Sequence, residues 1–183
     1  LSVLDTLAER RTAIVVAGST LFLDQLSKDI AATLLLGAAP VGFGPLGLRL
    51  AQNEGGAMGA FDALPESLRL PLVVGLTLAV LLLVLPVLAA QVQRRGIRDT
   101  AVAFVLAGAL GNLIDRLRHG HVIDFLTVSP ELLPTAPVFN LADLALVTGA
   151  LLLIVHRRRR RAAPAGAAAP PLPSLSQPGG RLS

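Results

Sequence analysis

No cysteine, tryptophan or tyrosine occurs among the 183 residues. Without cysteine there are no disulfides, no thiolate nucleophiles and no Cys-ligated metals. Phe occurs six times and the other large aromatics are missing, so an aromatic belt at a membrane interface is nearly absent. Histidine occurs only at 119, 121 and 156, which argues against a His-built metal site. Charge is scarce as well. Only 15% of residues are charged, whereas a soluble domain carries about a quarter. What fills the gap is Leu, Ala and Val: 53% of the chain is hydrophobic and the mean hydropathy is +0.68. That excludes a disordered chain or a nucleic-acid coat, and it leaves too little polar side chain for a wet surface. The net charge of +4 is 16 basic minus 12 acidic residues. The basic side is almost all Arg and needs no nucleic-acid partner.

The apolar residues fall into four runs. Leu70 to Ala90 holds 21 residues without a charge, about 30 Å as a helix, which matches the core of a bilayer. Pro86 sits inside it, and membrane helices tolerate such a kink. Thr12 to about Leu36 carries Asp24, Lys28 and Asp29; Thr100 to Arg116 is apolar until Asp115; Val138 to Val155 is apolar except for Asn140 and Asp143. These patterns predict an all-α integral membrane protein with four transmembrane helices. The first run, though preceded by Arg10 and Arg11, is read as an uncleaved helix rather than a signal peptide, because Asp24 and Lys28 continue it at helical spacing. Arg10 and Arg11, then Arg94, Arg95 and Arg98, then Arg157 to Arg161 fall on one side of a four-span chain. The positive-inside rule makes that side cytoplasmic, with both termini there. Segments 37–68 and 117–137 then face outward. Residues 47–52 alternate weakly, which predicts a small extracytoplasmic β element beside a Gly-rich loop. Residues 1–156 form the membrane domain. Residues 157–183 are a basic anchor, able to touch anionic lipid, and a disordered Pro/Ala-rich tail.

An ionisable group inside a span costs at least about 2.5–3.5 kcal/mol and marks a functional site by default. Asp24 and Lys28 are four apart and share a helix face, as an internal ion pair or as part of a site. Asn112, Asp115 and Arg116 share a face at the outer end of the third helix, beside Gly108 and Gly111, which admit a close neighbour. Asp115 reads more readily as a structural acceptor than as a catalyst. Gly120 is a helix stop, and Asp124 follows in an apolar stretch too short to span, read as a turn dipping back toward the membrane surface. Asn140 fits a helix N-cap. Asp143 lies a turn inside the apolar run and is not explained as a cap. Topology brings Asp124 and Asp143 to one outer surface. Two carboxylates close together at low dielectric hold a single proton between them and so supply an acid and a base. A proton-coupled transporter and a non-catalytic lipid- or peptide-binding subunit remain alternatives at this point.

Five segments, in order, resemble the lipoprotein signal peptidases, the type II signal peptidases of bacteria. They are Asp24–Lys28 (DQLSK), Asn53–Ala57 (NEGGA), Gly111–Arg116 (GNLIDR), Val122–Phe125 (VIDF) and Phe139–Asp143 (FNLAD). The resemblance runs from about Thr12 to Val155. It implies a membrane aspartic endopeptidase that cuts diacylglyceryl-modified prolipoproteins just before the lipidated Cys. It implies that Asp124 and Asp143 are the catalytic pair. Asn112, Arg116 and Asn140 are implied to hold substrate or steady the carboxylates, Asn53 to sit on a loop that closes over the substrate, and Asp24, Lys28 and Asp115 to support them. It implies no cofactor and no metal, a lipidated prolipoprotein and membrane lipid as partners, a monomer, and a place in the bacterial inner membrane with the site at the outer face. Gly56 and Met58 depart from the family's more usual Ala and aromatic residue.

Overall fold

The computed structural model describes residues 11–54, 61, 63–89, 97–129, 132–133 and 136–162. Arg10, Arg94, Arg95, the loop residues Gly55, Gly56, Ala57 and Met58, and the tail from residue 163 lie outside these. The fold is mostly helical with one small antiparallel sheet. Its elements are α1 (Arg11–Leu34), β1 (Val41–Phe43), β2 (Leu46–Asn53), α2 (Glu66–Ala89), α3 (Ile97–His119), β3 (Val122–Val128), β4 (Val138–Phe139) and α4 (Leu141–Ala162). Each expected apolar run lies largely within one helix. Among the described residues, the segment Arg98–His119 is long and apolar enough to cross a membrane on length and composition alone.

Small residues set how closely the helices pack. A side chain at Gly108 would meet the Ala142 carbonyl and Leu146, and one at Gly149 would meet the Ala101 carbonyl and Val105. These contacts make α3 and α4 antiparallel and nearly touching, with Ala101, Ala142 and Ala145 buried between them. Gly111 leaves room for the Asp24 carboxylate, and Asp24 reaches Ala142 N–H at 2.8 Å. Asp24, Gly111 and Ala142 therefore lie at one level. Thirteen residues away along their helices are Arg11, Arg98 and Val155, the last just before the Arg run. At 1.5 Å per residue the polar level stands about 20 Å from the basic end. A modest apolar core of Leu81, Ala109 and Leu113, flanked by Val74, Leu106 and Leu146, joins α2 to this pair.

Polarity is inverted relative to a water-soluble protein. Phe22, Leu23, Leu26 and Ile30 on α1, Leu72, Leu76 and Leu82 on α2, and Val147, Leu151 and Ile154 on α4 are exposed. Asp24, Lys28, Asn112, Asp115, Arg116, Asp124 and Asn140 are buried. Apolar groups outside and charges inside are what a hydrocarbon solvent selects.

The sheet is larger than residues 47–52 suggested, with four strands in the order β1-β2-β3-β4. Gly44, with φ of 68°, and Pro45 form the two-residue turn between β1 and β2. Residues 122–128 are strand rather than turn. They form the inner strand β3, paired with β2 along one edge and with β4 at Leu126 and Thr127 on the other. Between β2 and β3 the register slips by one: Leu48 pairs with Leu126, but Ala51 pairs with Asp124 and Asn53 with Val122. This bulge changes which side chains of β2 face the Asp124 side, from Leu48 to Ala51 and Asn53. The fourth helix also differs from expectation. Val138 and Phe139 are strand, and the helix begins only at Leu141.

Candidate active site

The C-terminal end of α3 supplies the floor. Gly120, with φ of 81°, ends the helix, and its N–H meets the Arg116 carbonyl at 3.0 Å. The chain turns directly into β3, so Asp115 Oδ2 accepts the Ile123 N–H at 3.0 Å. Asp115 thus locks helix to strand, which fits its reading as a structural acceptor.

Lys28 enters from α1 and is 1% exposed. Its Nζ lies 2.9 Å from Asp24 Oδ2, 3.1 Å from Asp115 Oδ2 and 2.9 Å from Asn112 Oδ1. An ammonium has three N–H donors, and all three are used. Asp24 is therefore both an ion-pair partner and part of the site's frame, since its other oxygen accepts Ala142 N–H at the start of α4. Because Lys28 occupies Asn112 Oδ1, the amide nitrogen of Asn112 points the other way, donating to Asp143 Oδ1 at 2.9 Å.

The start of α4 corrects the reading of Asp143. Asn140 Oδ1 accepts the Asp143 N–H at 3.0 Å, and Asp143 Oδ2 accepts the Asn140 N–H at 3.1 Å. This is a reciprocal capping box with Asp in the third position. With the helix beginning at Leu141 rather than Val138, Asp143 belongs to its first turn, where a carboxylate is also favoured by the helix dipole. Asn140 does a second job. Its Nδ2 donates to Asp124 Oδ1 at 2.6 Å, so Asn140 donates to both carboxylates, by side chain to Asp124 and by backbone N–H to Asp143. Asp124 Oδ2 accepts Asn53 Nδ2 at 2.9 Å from the end of β2.

Burial pushes the Asp124 carboxyl up to about 6; the Asn53 hydrogen bond opposes this, the Asp143 charge adds to it, and the Asn140 bond and the Lys28 charge oppose it. Burial sets the direction, and the local charge count does not reverse it. Four carboxylates (Asp24, Asp115, Asp124 and Asp143) face two cations (Lys28 and Arg116), so full ionisation leaves a net charge of −2, from 2 − 4. Arg116 faces Asp143, Asp124 and Asp115. Its Nη1 donates to the Asn112 carbonyl at 3.2 Å, and its Nε is buried with no hydrogen-bond partner among the described residues.

All nine residues expected from the sequence thus meet in one network or directly against it. A model of the family described as "Signal peptidase (SPase) II" matches residues 16–158. The chain belongs to the signal peptidase II family. The match spans every one of the nine. A lipoprotein signal peptidase of Caldanaerobacter subterraneus is 35% identical over 146 residues, covering 76% of this chain and 91% of that protein. One of Syntrophus aciditrophicus is 36% identical over 140 residues, 75% of this chain and 86% of that protein. A solved bacterial membrane enzyme superposes with a TM-score of 0.72 at 27% identity, over 82% of this chain and 90% of its own.

One residue within the family motif carries more than the sequence reading assigned to it. Gln25 Nε2 lies 3.2 Å from Asp24 Oδ2, 3.3 Å from the Gly111 carbonyl and 3.0 Å from Asp115 Oδ1, while its Oε1 accepts from Arg118 at 3.4 Å. It spans α1 and α3 beside the Lys28 ion pairs. Its place directly after a buried Asp was the available signal.

Proposed function

We propose that this family member is an aspartic endopeptidase of the bacterial inner membrane. Signal peptide removal from prolipoproteins is the activity of its family. The finer reading is that it cuts diacylglyceryl-modified substrates just before the lipidated Cys, with Asp124 and Asp143 as the catalytic pair and no metal or cofactor. The observation that carries this is Asn140 donating to both carboxylates, from its side-chain amide to Asp124 and from its backbone N–H to Asp143, in a buried cluster short of positive charge. One carboxylate of such a pair activates water while the other protonates the scissile carbonyl. Arg116, whose buried Nε has no hydrogen-bond partner among the described residues, presents a planar fork to a substrate main chain. Asn112 and Asn140 orient the pair, Asn53 reaches it from β2, and Asp24, Lys28 and Asp115 brace the helices beneath.

The four helices span the bilayer in this reading, and the exposed Leu, Val and Phe side chains meet lipid. The Arg-bearing ends lie in the cytoplasm with both termini, and the site opens at the outer face, where a diacylglyceryl chain enters sideways from the membrane. Residues 1–156 form the peptidase domain, residues 157–183 are an anchor and tail, and the chain acts as a monomer. The test uses purified protein in detergent with a diacylglyceryl-modified prolipoprotein. Asp124→Asn and Asp143→Asn each abolish release of the signal peptide while leaving insertion and elution unchanged. Turnover retained by either variant refutes the mechanism.

A further inference from the structure

Asn53 reaches Asp124 from the last residue of a strand, where a side chain is least constrained by the ladder. The next residue, Glu54, is tied across the chain. Its Oε2 meets Arg69 Nη1 at 2.8 Å, and Arg69 Nη2 donates to the Leu64 carbonyl at 3.0 Å. Arg69 itself is fixed in the first turn of α2, where its N–H and that of Leu68 both meet the Pro65 carbonyl. One guanidinium therefore fastens the end of β2 to the start of α2.

We infer that the Arg69–Glu54 ion pair is a positioning device for the reaction, holding the end of β2 so that the Asn53 amide stays on Asp124. This rests on the assignment of Asp124 as catalytic. A pair this exposed, at 18% and 48%, does little for overall stability. Its lever is local, because Glu54 and Asn53 share a peptide bond. Five other groups face Asp124: Lys28 from α1, Arg116 from α3, Asn53 from β2, and Asn140 and Asp143 from the start of α4. Changing Glu54 or Arg69 substitutes none of them and bears directly on Asn53 alone, its chain neighbour.

The Asn53 bond opposes the upward push of burial on Asp124. Loosening it moves the limb of the pH–rate profile that Asp124 sets to higher pH. Two variants separate this from direct electrostatics. Arg69→Gln removes a positive charge and Glu54→Gln removes a negative one, so a through-space effect on Asp124 has opposite signs in the two. Positioning through Asn53 predicts the same sign in both. The expected result, with full-length protein and lipidated prolipoprotein in detergent, is an upward limb in each. It comes with a loss of about two- to fivefold in kcat and an unchanged KM. Limbs that stay put or move in opposite directions overturn the inference. Glu54 is half exposed, so Glu54→Gln keeps the fold and supplies the decisive reading if Arg69→Gln fails to fold. Asp124→Asn run alongside must be inactive. If it is active, the assignment of the catalytic pair fails instead, and the two failures are told apart.

Discussion

Replacing Lys28 by methionine perturbs the balance of the buried cluster most directly. Methionine keeps the length and apolar stem of the side chain, so the change removes charge and three N–H bonds while leaving little void. Asp24 and Asp115 then stay buried without their shared cation. Asp24 keeps Ala142 N–H and Gln25, and Asp115 keeps Ile123 N–H and Gln25. These neutral donors do not replace an ammonium. Removing one partner of a buried ion pair destabilises by about 3–5 kcal/mol, chiefly because a charge is left uncompensated. Lys28→Met is expected within that range, measured by reversible unfolding in mixed micelles at neutral pH. Adding Asp115→Asn deletes one of the two orphaned charges, so the double variant should be more stable than Lys28→Met alone, although two residues have changed. A double variant destabilised by the sum of its singles would refute the idea that compensation of charge, rather than packing, is what Lys28 provides.

Two further outcomes follow from the same geometry. Gly111→Ala drives a methyl into the Asp24 carboxylate and should destabilise by about 1–3 kcal/mol, whereas Gly75→Ala, with open space around it, should be neutral or stabilise by up to about 1 kcal/mol; equal effects in an unfolding assay would contradict the close packing of α1 on α3. Because Asp124 titrates near 6 in the folded chain and near 3.9 when unfolded, its protonated form stabilises fully below about pH 4, and that contribution is lost as pH rises through 6. Unfolding free energy should therefore show a falling component between those values in the wild type that is missing in Asp124→Asn.

The helices were legible because long apolar runs have few alternatives, and the polar residues stood out because hydrocarbon penalises them. The strands were harder to read for physical reasons. In β2 the bulge between Leu48 and Ala51 interrupts the period of two, so residues 47–52 alternate only weakly although the strand runs eight residues. In β3 nearly every residue is buried, which erases alternation altogether and leaves a short apolar stretch open to other readings. The start of α4 was misplaced by three residues because Val138 and Phe139 look like helix core. That small error made Asp143 seem to lie a turn inside a span instead of in a capping box. The Glu54–Arg69 tie joins residues fifteen apart across a Gly-rich segment, and no local pattern announces it.

The tight turn at Gly120 has a consequence for how the centre comes together. Asn112, Asp115, Arg116, Asp124, Asn140 and Asp143 all lie within one helix–strand–helix stretch, so short loop closures bring them into place. The cation that steadies them comes from α1, eighty-four residues before Asn112. One of the centre's two cations, Arg116, belongs to that stretch, while Lys28 arrives from the far end together with Asp24, which holds the start of α4. Changes in α1 should therefore disturb both the charge around the acid pair and the placement of the helix that carries Asp143.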